Sequence, residues 1–340
     1  MSTIRTILIA VCLLFLLAAA LTFGFGYYLV SPARPDGKEQ VFLVTEGSSF
    51  RQIADDLHRE GLIRGERLFL LWAKIMAYGR RVKAGEYELS PAMPPIRVLE
   101  ILRRGAVVLH PVTIPEGYTR VRIARVLSEK GLADAKAFLV QTRGRDIAGR
   151  YGIAAADLEG YLFPDTYRFA RGLPPAAVVD AMVDRFLQVT DPLRERIESL
   201  GMSLNEVVTL ASIVEKETGR PEERPLIASV FLNRLKRRMR LESDPTVIYG
   251  IQDFNGNLTR KDLETPTPYN TYMISGLPPG PIANPGLASM KAVLYPADTK
   301  FLFFVSKNDG THHFSRTYSE HRRAVETYQQ KRRSRASKSP

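Results

Sequence analysis

The chain has 340 residues, with 48 Lys or Arg against 36 Asp or Glu and a formal net charge of +12. That length allows more than one hydrophobic core. A single cysteine excludes a disulfide framework, and with no HExxH pattern or cysteine cluster the sequence offers no metal site and implies no cofactor. The basic balance suits an anionic polymer, an acidic lipid surface or nucleic acid.

After a short N-terminus of residues 1–6, the run Ile7–Val30 carries no charge. As a helix it is about 36 Å long, enough to cross a bilayer. A cleaved signal peptide is the rival reading, with Ala18-Ala19-Ala20 imitating a cleavage site, but the apolar run continues well beyond it. Arg5 precedes the span and Arg34 and Lys38 follow it closely, so charge bias does not set the orientation. A large domain after one N-terminal span favours a cytoplasmic N-terminus for a single-pass protein, with the bulk of the chain outside the membrane. That location argues against nucleic acid as a partner. Residues 31–39, rich in Pro and Gly, form a linker.

In residues 40–105, Val41–Thr45 alternates as a strand, and Ser49 and Gln52 are spaced as a capping box ahead of Ile53, Ala54 and Leu57. Gly61 stops that helix. A second helix over Glu66–Tyr78 carries Leu68, Leu71, Trp72 and Ile75 at helical spacing, and Lys83–Leu89 closes as a strand. This order resembles a LysM-like module, a small fold often used to bind N-acetylglucosamine polymers. At an offset of 70 residues Glu46-Gly47, Ile53-Ala54, Leu57 and Gly61-Leu62 recur as Glu116-Gly117, Ile123-Ala124, Leu127 and Gly131-Leu132, which makes 106–157 a second repeat-like module. The recurring apolar positions are of the core-facing kind, so glycan binding and plain packing both remain open for the two copies.

From Leu158 the sequence changes character. LEGYLFPDTYRF reads as extended with a turn, its Tyr161, Phe163 and Tyr167 as core aromatics of which at least one reaches a cleft. Pro174–Leu200 is helical. Ser203 and Glu206 form a capping box that opens a helix over Leu204–Thr218, ended by Gly219. On that helix Asn205, Thr209, Ser212 and Lys216 make a polar strip, Glu215 lies at the edge of the apolar arc within reach of water, and Glu217 has apolar neighbours one turn back. A desolvated carboxyl has a raised pKa and can serve as a general acid; the alternative is an ion pair of Glu217 with Arg220 or Arg224. Pro225–Met239 gives another helix, with Asn233 and Arg234 near its apolar face and a solvated basic end. SDPTVIYG, LETPTPYNTY and GLPPGPIANPG read as ordered loops around a site, where Asp244, Tyr249, Glu264, Asn270 and Tyr272 offer polar groups; two or three of them are expected to face substrate. Phe301–Val305 reads as a central strand with His313–Ser315 as its hairpin partner, and residues 331–340 as a disordered basic tail.

ASIVEKET, ASVFLNRL, SDPTVIYG, DLETPTPYNTY and GLPPGPIANPG, in this order and spacing, resemble the MltG (YceG-like) family of endolytic murein transglycosylases. The resemblance is strong from Leu158 onward and looser before it. It implies an α+β protein with an N-terminal transmembrane helix, the LysM-like module and a mixed α+β catalytic domain over 158–330. It also implies a lytic transglycosylase acting on peptidoglycan glycan strands from the periplasmic side of the cell (inner) membrane, with Glu217 as the catalytic residue and wall synthases of the penicillin-binding type as partners; Asn233 joins the five loop residues above as a candidate substrate contact. Asp244, Glu264 and Glu215 stand as candidates for a second carboxylate in a hydrolase. A membrane-anchored scaffold that binds peptidoglycan without cutting it is the alternative function.

Overall fold

In the computed structural model, residues 2–78 and 82–330 are described; the basic tail lies outside them. The chain is a mixed α+β protein that divides into two compact units. One comprises the residues up to Pro111 together with Arg168–Leu173, the other Val112–Tyr167 and the residues from Pro174 on.

The first unit opens with helix α1 (Ser2–Val30), whose stretch Ile4–Val30 is long and apolar enough to span a membrane. Strand β1 (Gln40–Val44), helices α2 (Phe50–Arg59) and α3 (Glu66–Ile75), strand β2 (Gly85–Leu89) and helix α4 (Pro95–Arg104) follow. β1 and β2 pair antiparallel, Gln40 opposite Leu89 and Val44 opposite Gly85, and the helices close over them around Phe42, Leu57, Phe69, Tyr87 and Leu102. The Ser49–Gln52 capping box forms. The helical spacing in α3 identifies the helix but not its buried face. Phe69 and Ala73 enter the core, whereas Leu68, Leu71 and Ile75 are exposed. Arg171 returns to this unit and bonds Glu86 at 3.1 Å, beside His110.

β3 (His110–Thr113) pairs with β4 (Thr166–Phe169), and between them lie α5 (Arg120–Glu129), α6 (Ala135–Val140) and α7 (Arg145–Arg150). α5 is the repeat partner of α2 and buries the matching set Ile123, Ala124, Leu127 and Leu132, as α2 buries Ile53, Ala54, Leu57 and Leu62. The repeated glycines keep the same left-handed backbone, with φ of 82° at Gly47 and 73° at Gly117, then 71° at Gly61 and 64° at Gly131. The repeat is therefore one of backbone and core, because both its glycines and its apolar residues serve the turn and the packing.

The second unit continues with α8 (Pro175–Thr190), α9 (Arg194–Ser199), α10 (Leu204–Glu217), α11 (Arg224–Lys236), α12 (Asp244–Gly250), α13 (Arg260–Glu264), α14 (Leu287–Leu294), the hairpin β5 (Phe303–Ser306) and β6 (His312–Ser315), and α15 (Tyr318–Val325). α10 is its central helix and packs against α11, α12 and α14. Its capping box is formed by Ser203 and Glu206. Val207–Val214 is buried on every side, so the expected polar strip is solvated only at its ends, Asn205 and Lys216: Thr209 and Ser212 lie in the core, where Ser212 donates to the Thr209 carbonyl at 2.7 Å and accepts from Ile282 N at 3.0 Å. Burial of each Leu or Ile on such a helix contributes about 1.5–3 kcal/mol.

One stretch read as a loop is helical instead, while LETPTPYNTY, past its first two residues, and GLPPGPIANPG are irregular. Asp244–Gly250 forms α12, because its proline falls in the first turn where no amide donor is needed. α13 is opened by a Thr259–Asp262 capping box. Among the described residues β5 pairs only with β6, so it is one half of a two-stranded ribbon and not a central strand. Gly160 fixes the LEGYLF segment on the core: at φ 90°, a Cβ there would meet Pro281 Cβ at 2.5 Å and Val208 Cγ1 at 2.8 Å.

Candidate active site

The C-terminal turn of α10 delivers Glu217 to a cleft of about 340 Å³ lined by Glu217, Arg234, Leu241, Glu242, Asp244, Tyr272, Phe304 and His321. Every one of these residues belongs to the second unit.

The wall opposite Glu217 is built by two sequence blocks that interlock. Ser243 is almost fully buried; its N–H donates to Thr271 Oγ1 at 3.0 Å, and Thr246 Oγ1 donates to its carbonyl at 2.7 Å and shares a 2.8 Å bond with Thr271. So held, Ser243 Oγ donates to Glu217 Oε1 at 2.5 Å. Next to it Glu242 adopts φ 52°, in the left-handed region that non-glycine residues seldom occupy, with its N–H on the Thr271 carbonyl. Tyr272 donates to Asp244 Oδ1 at 2.7 Å.

Burial pushes the Glu217 carboxyl up to about 7; the Ser243 bond opposes this, the negative Asp244 adds to it, and Arg234 opposes it. Removal from water therefore outweighs the one hydrogen bond that favours the ionised form. Arg234 is buried and pinned, its Nε on the Leu302 carbonyl at 2.7 Å and its Nη1 on the Leu241 carbonyl at 2.8 Å and on Glu242 Oε2 at 3.0 Å. His321 stacks on Phe303, and its buried Nδ1 has no hydrogen-bond partner among the described residues. Burial and the positive Arg234 hold its pKa below the usual histidine value, so the ring is neutral at pH 7.

Of the residues singled out from sequence, Glu217, Asp244 and Tyr272 meet in this cleft. Asn233 does not line it; its Nδ2 bonds the carbonyls of Thr299 and Phe301 at 2.9 and 3.1 Å and braces that loop against α11. Asn270 is wholly buried and donates to the carbonyls of Leu263 and Thr265, closing the end of α13. Glu264 is exposed and pairs with Arg260 at 2.9 Å. Tyr161, Phe163 and Tyr167 do not line the cleft either; Tyr161 is a core residue that donates to Asn205 Oδ1 at 2.9 Å.

Tyr249 belongs to a second polar cluster. It donates to Glu159 Oε2 at 3.2 Å, while Glu159 Oε1 accepts from Arg120 N at 3.0 Å and Asn284 Nδ2 at 3.1 Å. Burial raises the Glu159 carboxyl to about 7, against the Arg120 contacts. Asn284, also buried, bonds Tyr118 O and Leu162 N, so three distant segments are tied at one amide.

Glu215 is not at a wet edge. Its side chain is 6% exposed, its Oε1 pairs with Arg224 at 3.0 Å, and its Oε2 accepts from Gly286 N at 3.0 Å and Ser289 Oγ at 2.8 Å. Arg224 also reaches Glu116 at 3.3 Å. The arginine is thus committed to Glu215 and Glu116, and Arg220 to the carbonyl of Gly310; neither pairs with Glu217. Arg234, Glu242, Ser243 and His321 escaped the sequence reading. Two of them carried a signal, Ser243 at the head of SDPTVIYG and Arg234 within ASVFLNRL.

The model of the YceG-like family matches residues 42–327. An endolytic murein transglycosylase of Bacillus subtilis (strain 168) is 32% identical over 325 residues, which cover 90% of this chain and 89% of that protein. One of Streptococcus pneumoniae (strain D39) is 31% identical over 91% of this chain and 62% of its own length. The crystal structure of a YceG-like protein of Listeria monocytogenes superposes with a TM-score of 0.59 at 33% identity, covering 85% of this chain and all of that one.

Proposed function

The chain belongs to the YceG-like family, and from that premise we propose that it is an endolytic peptidoglycan lytic transglycosylase with Glu217 as its acid and base. The observation that carries this reading is the Glu217 carboxyl itself: withdrawn from water, raised to about 7 and held by Ser243 in an open cleft.

Protonated Glu217 gives its proton to the glycosidic oxygen between N-acetylmuramic acid and N-acetylglucosamine as the bond from that oxygen to the muramic C1 breaks. The carboxylate left behind takes the proton of the muramic 6-hydroxyl, whose oxygen closes on C1. A 1,6-anhydro ring forms and Glu217 is again protonated, so no water is consumed. A pKa near neutrality suits both halves of this cycle. Asp244 and Glu242 supply negative charge toward a developing oxocarbenium ion, and each is tied to a partner, Tyr272 and Arg234. Neutral His321, stacked on Phe303, lines the cleft without adding charge to it. Asn233, Tyr249, Glu264 and Asn270 act behind the cleft or away from it, so direct substrate contacts fall to Asp244 and Tyr272.

In this reading α1 anchors the chain in the cell membrane, with its N-terminus cytoplasmic. The β1–α2–α3–β2 module is LysM-like by its order of elements. Cuts within nascent strands then limit or release them beside penicillin-binding synthases.

Mass spectrometry of purified peptidoglycan incubated with the protein tests the reaction. Internal cuts ending in 1,6-anhydromuramic acid are expected; reducing ends instead would make it a hydrolase with Asp244 or Glu242 as second carboxylate, and binding without products would make it a scaffold. Ser243→Ala should move the alkaline limb of kcat/KM to higher pH, because it removes the bond that favours the Glu217 anion. The loss of one charge-assisted hydrogen bond, about 1.5–3 kcal/mol, bounds that shift. A pH–rate profile identical to wild type would mean that Ser243 does not tune the acid.

A further inference from the structure

The first unit leaves an apolar surface uncovered. Helix α3 is apolar on two faces: Phe69 and Ala73 fill the core, while Leu68, Leu71 and Ile75, at i, i+3 and i+7, are 40%, 46% and 59% exposed. Met76 and Ile96 of α4 extend the stripe, and a groove of about 230 Å³ runs between the two helices, lined by Trp72, Met76, Ile96, Leu99, Glu100 and Arg103. Contiguous apolar surface of this kind marks a contact site.

What covers it follows from its neighbour. α1 packs on α3 and α4 by its C-terminal end: Phe25 meets the Trp72 ring edge-on at 6.3 Å, and Tyr28 donates to the Gly65 carbonyl at 2.6 Å. The uncharged run Ile7–Val30 is about 36 Å long as a helix against a hydrocarbon core of about 30 Å, so its last turns, with Phe25, Tyr27 and Tyr28, emerge at headgroup level. Aromatic side chains favour that depth. Trp72 shares it through its contact with Phe25, and the stripe lies on the helix that α1 packs against, in the same unit. Exposed Arg67, Lys74 and Arg103 flank the stripe, whereas Glu100 is neutralised locally by Arg97 and Arg104. An apolar face edged by cations is the composition of a helix that lies in a bilayer interface.

We propose that the α3–α4 face is a bilayer-docking surface, its occupant the headgroup and upper acyl layer of an anionic phospholipid leaflet. It rests on the reading of α1 as a membrane span. The module is then held flat against the membrane and does not swing on its linker.

The test uses the full chain in phosphatidylglycerol-containing vesicles. Cys12 is the single cysteine, so Cys12→Ser gives a background for one fluorophore at Ile75→Cys or, as control, at exposed Glu129→Cys in the second unit. Lipids spin-labelled near the headgroup should quench the Ile75 probe several-fold more than the Glu129 probe. The effect should weaken in phosphatidylcholine alone and in a Leu68→Glu, Leu71→Glu background. Extraction of the chain by alkaline carbonate would overturn the span and the docking with it. Retention in the membrane with equal quenching at both positions would overturn docking alone. An Ile75 probe shielded from aqueous iodide but not quenched by lipid, with cross-linking between two copies, would assign the face to self-association and overturn the proposal.

Discussion

Glu217→Gln should abolish the formation of anhydro ends while leaving the protein more stable than wild type above neutral pH. Loss of one general acid–base group removes about 10²–10⁴ in rate, and here the same group serves both proton transfers, so the upper end is expected. The stability effect follows from burial. A carboxyl raised from 4.5 to about 7 binds a proton more tightly in the folded chain than in the unfolded one. Folding is therefore favoured while the proton is present and loses stability as pH rises from about 4.5 through 7. The difference corresponds to at most about 3 kcal/mol at pH 8. Glutamine keeps an oxygen for Ser243 and never ionises, so denaturant unfolding should give equal stability for the two proteins near pH 4 and an advantage for the variant at pH 8. Glu159 titrates over the same range, but it is common to both proteins and cancels in the comparison. The wild-type kcat/KM should fall above pH 7 as the acid loses its proton. A variant that still cleaves, or one whose advantage does not grow with pH, would show that Glu217 is not this buried acid.

What could be read from the sequence was what neighbours along the chain decide. The Ser203–Glu206 and Ser49–Gln52 caps, the helix read as Leu204–Thr218 and found one residue shorter, and each copy of the repeated turn and helix depend on residues within a few turns of one another. Which face of a helix meets what does not. Periodicity made α3 a helix but assigned Leu68, Leu71 and Ile75 to no particular side, and the core took Phe69 and Ala73 instead. The middle of the polar strip on α10, Thr209 and Ser212, is buried because α11, α12 and α14 pack around the helix. The cleft shows the same limit. Glu217 drew attention through its own helix, whereas Arg234, the adjacent pair Glu242 and Ser243, and His321 reach it from three later segments with no common spacing. Proline misled in SDPTVIYG, where its position in the first turn opens a helix.

Glu215, two residues away, should give the opposite result: Glu215→Ala destabilises the second unit by about 3–5 kcal/mol, because it leaves a buried charge without its partner. Arg224, 10% exposed, would retain only the half-exposed Glu116, and the Gly286 N–H and Ser289 hydroxyl would lose their acceptor together. For a unit of about 200 residues this is a fall in Tm of roughly 10 °C or more. The loss belongs to the pair and not to a stabilising bond as such, so removing both charges should recover part of it: Glu215→Leu with Arg224→Met is expected to be more stable than Glu215→Ala. Activity should follow stability in this series, returning at temperatures where the variant is folded, whereas Glu217→Gln stays inactive while fully folded. Calorimetry and product analysis on the same samples separate the two. If Glu215→Ala keeps the wild-type Tm and loses cleavage, then Glu215 and not its neighbour takes part in the chemistry, and the division between a structural and a catalytic glutamate on one helical turn must be reversed.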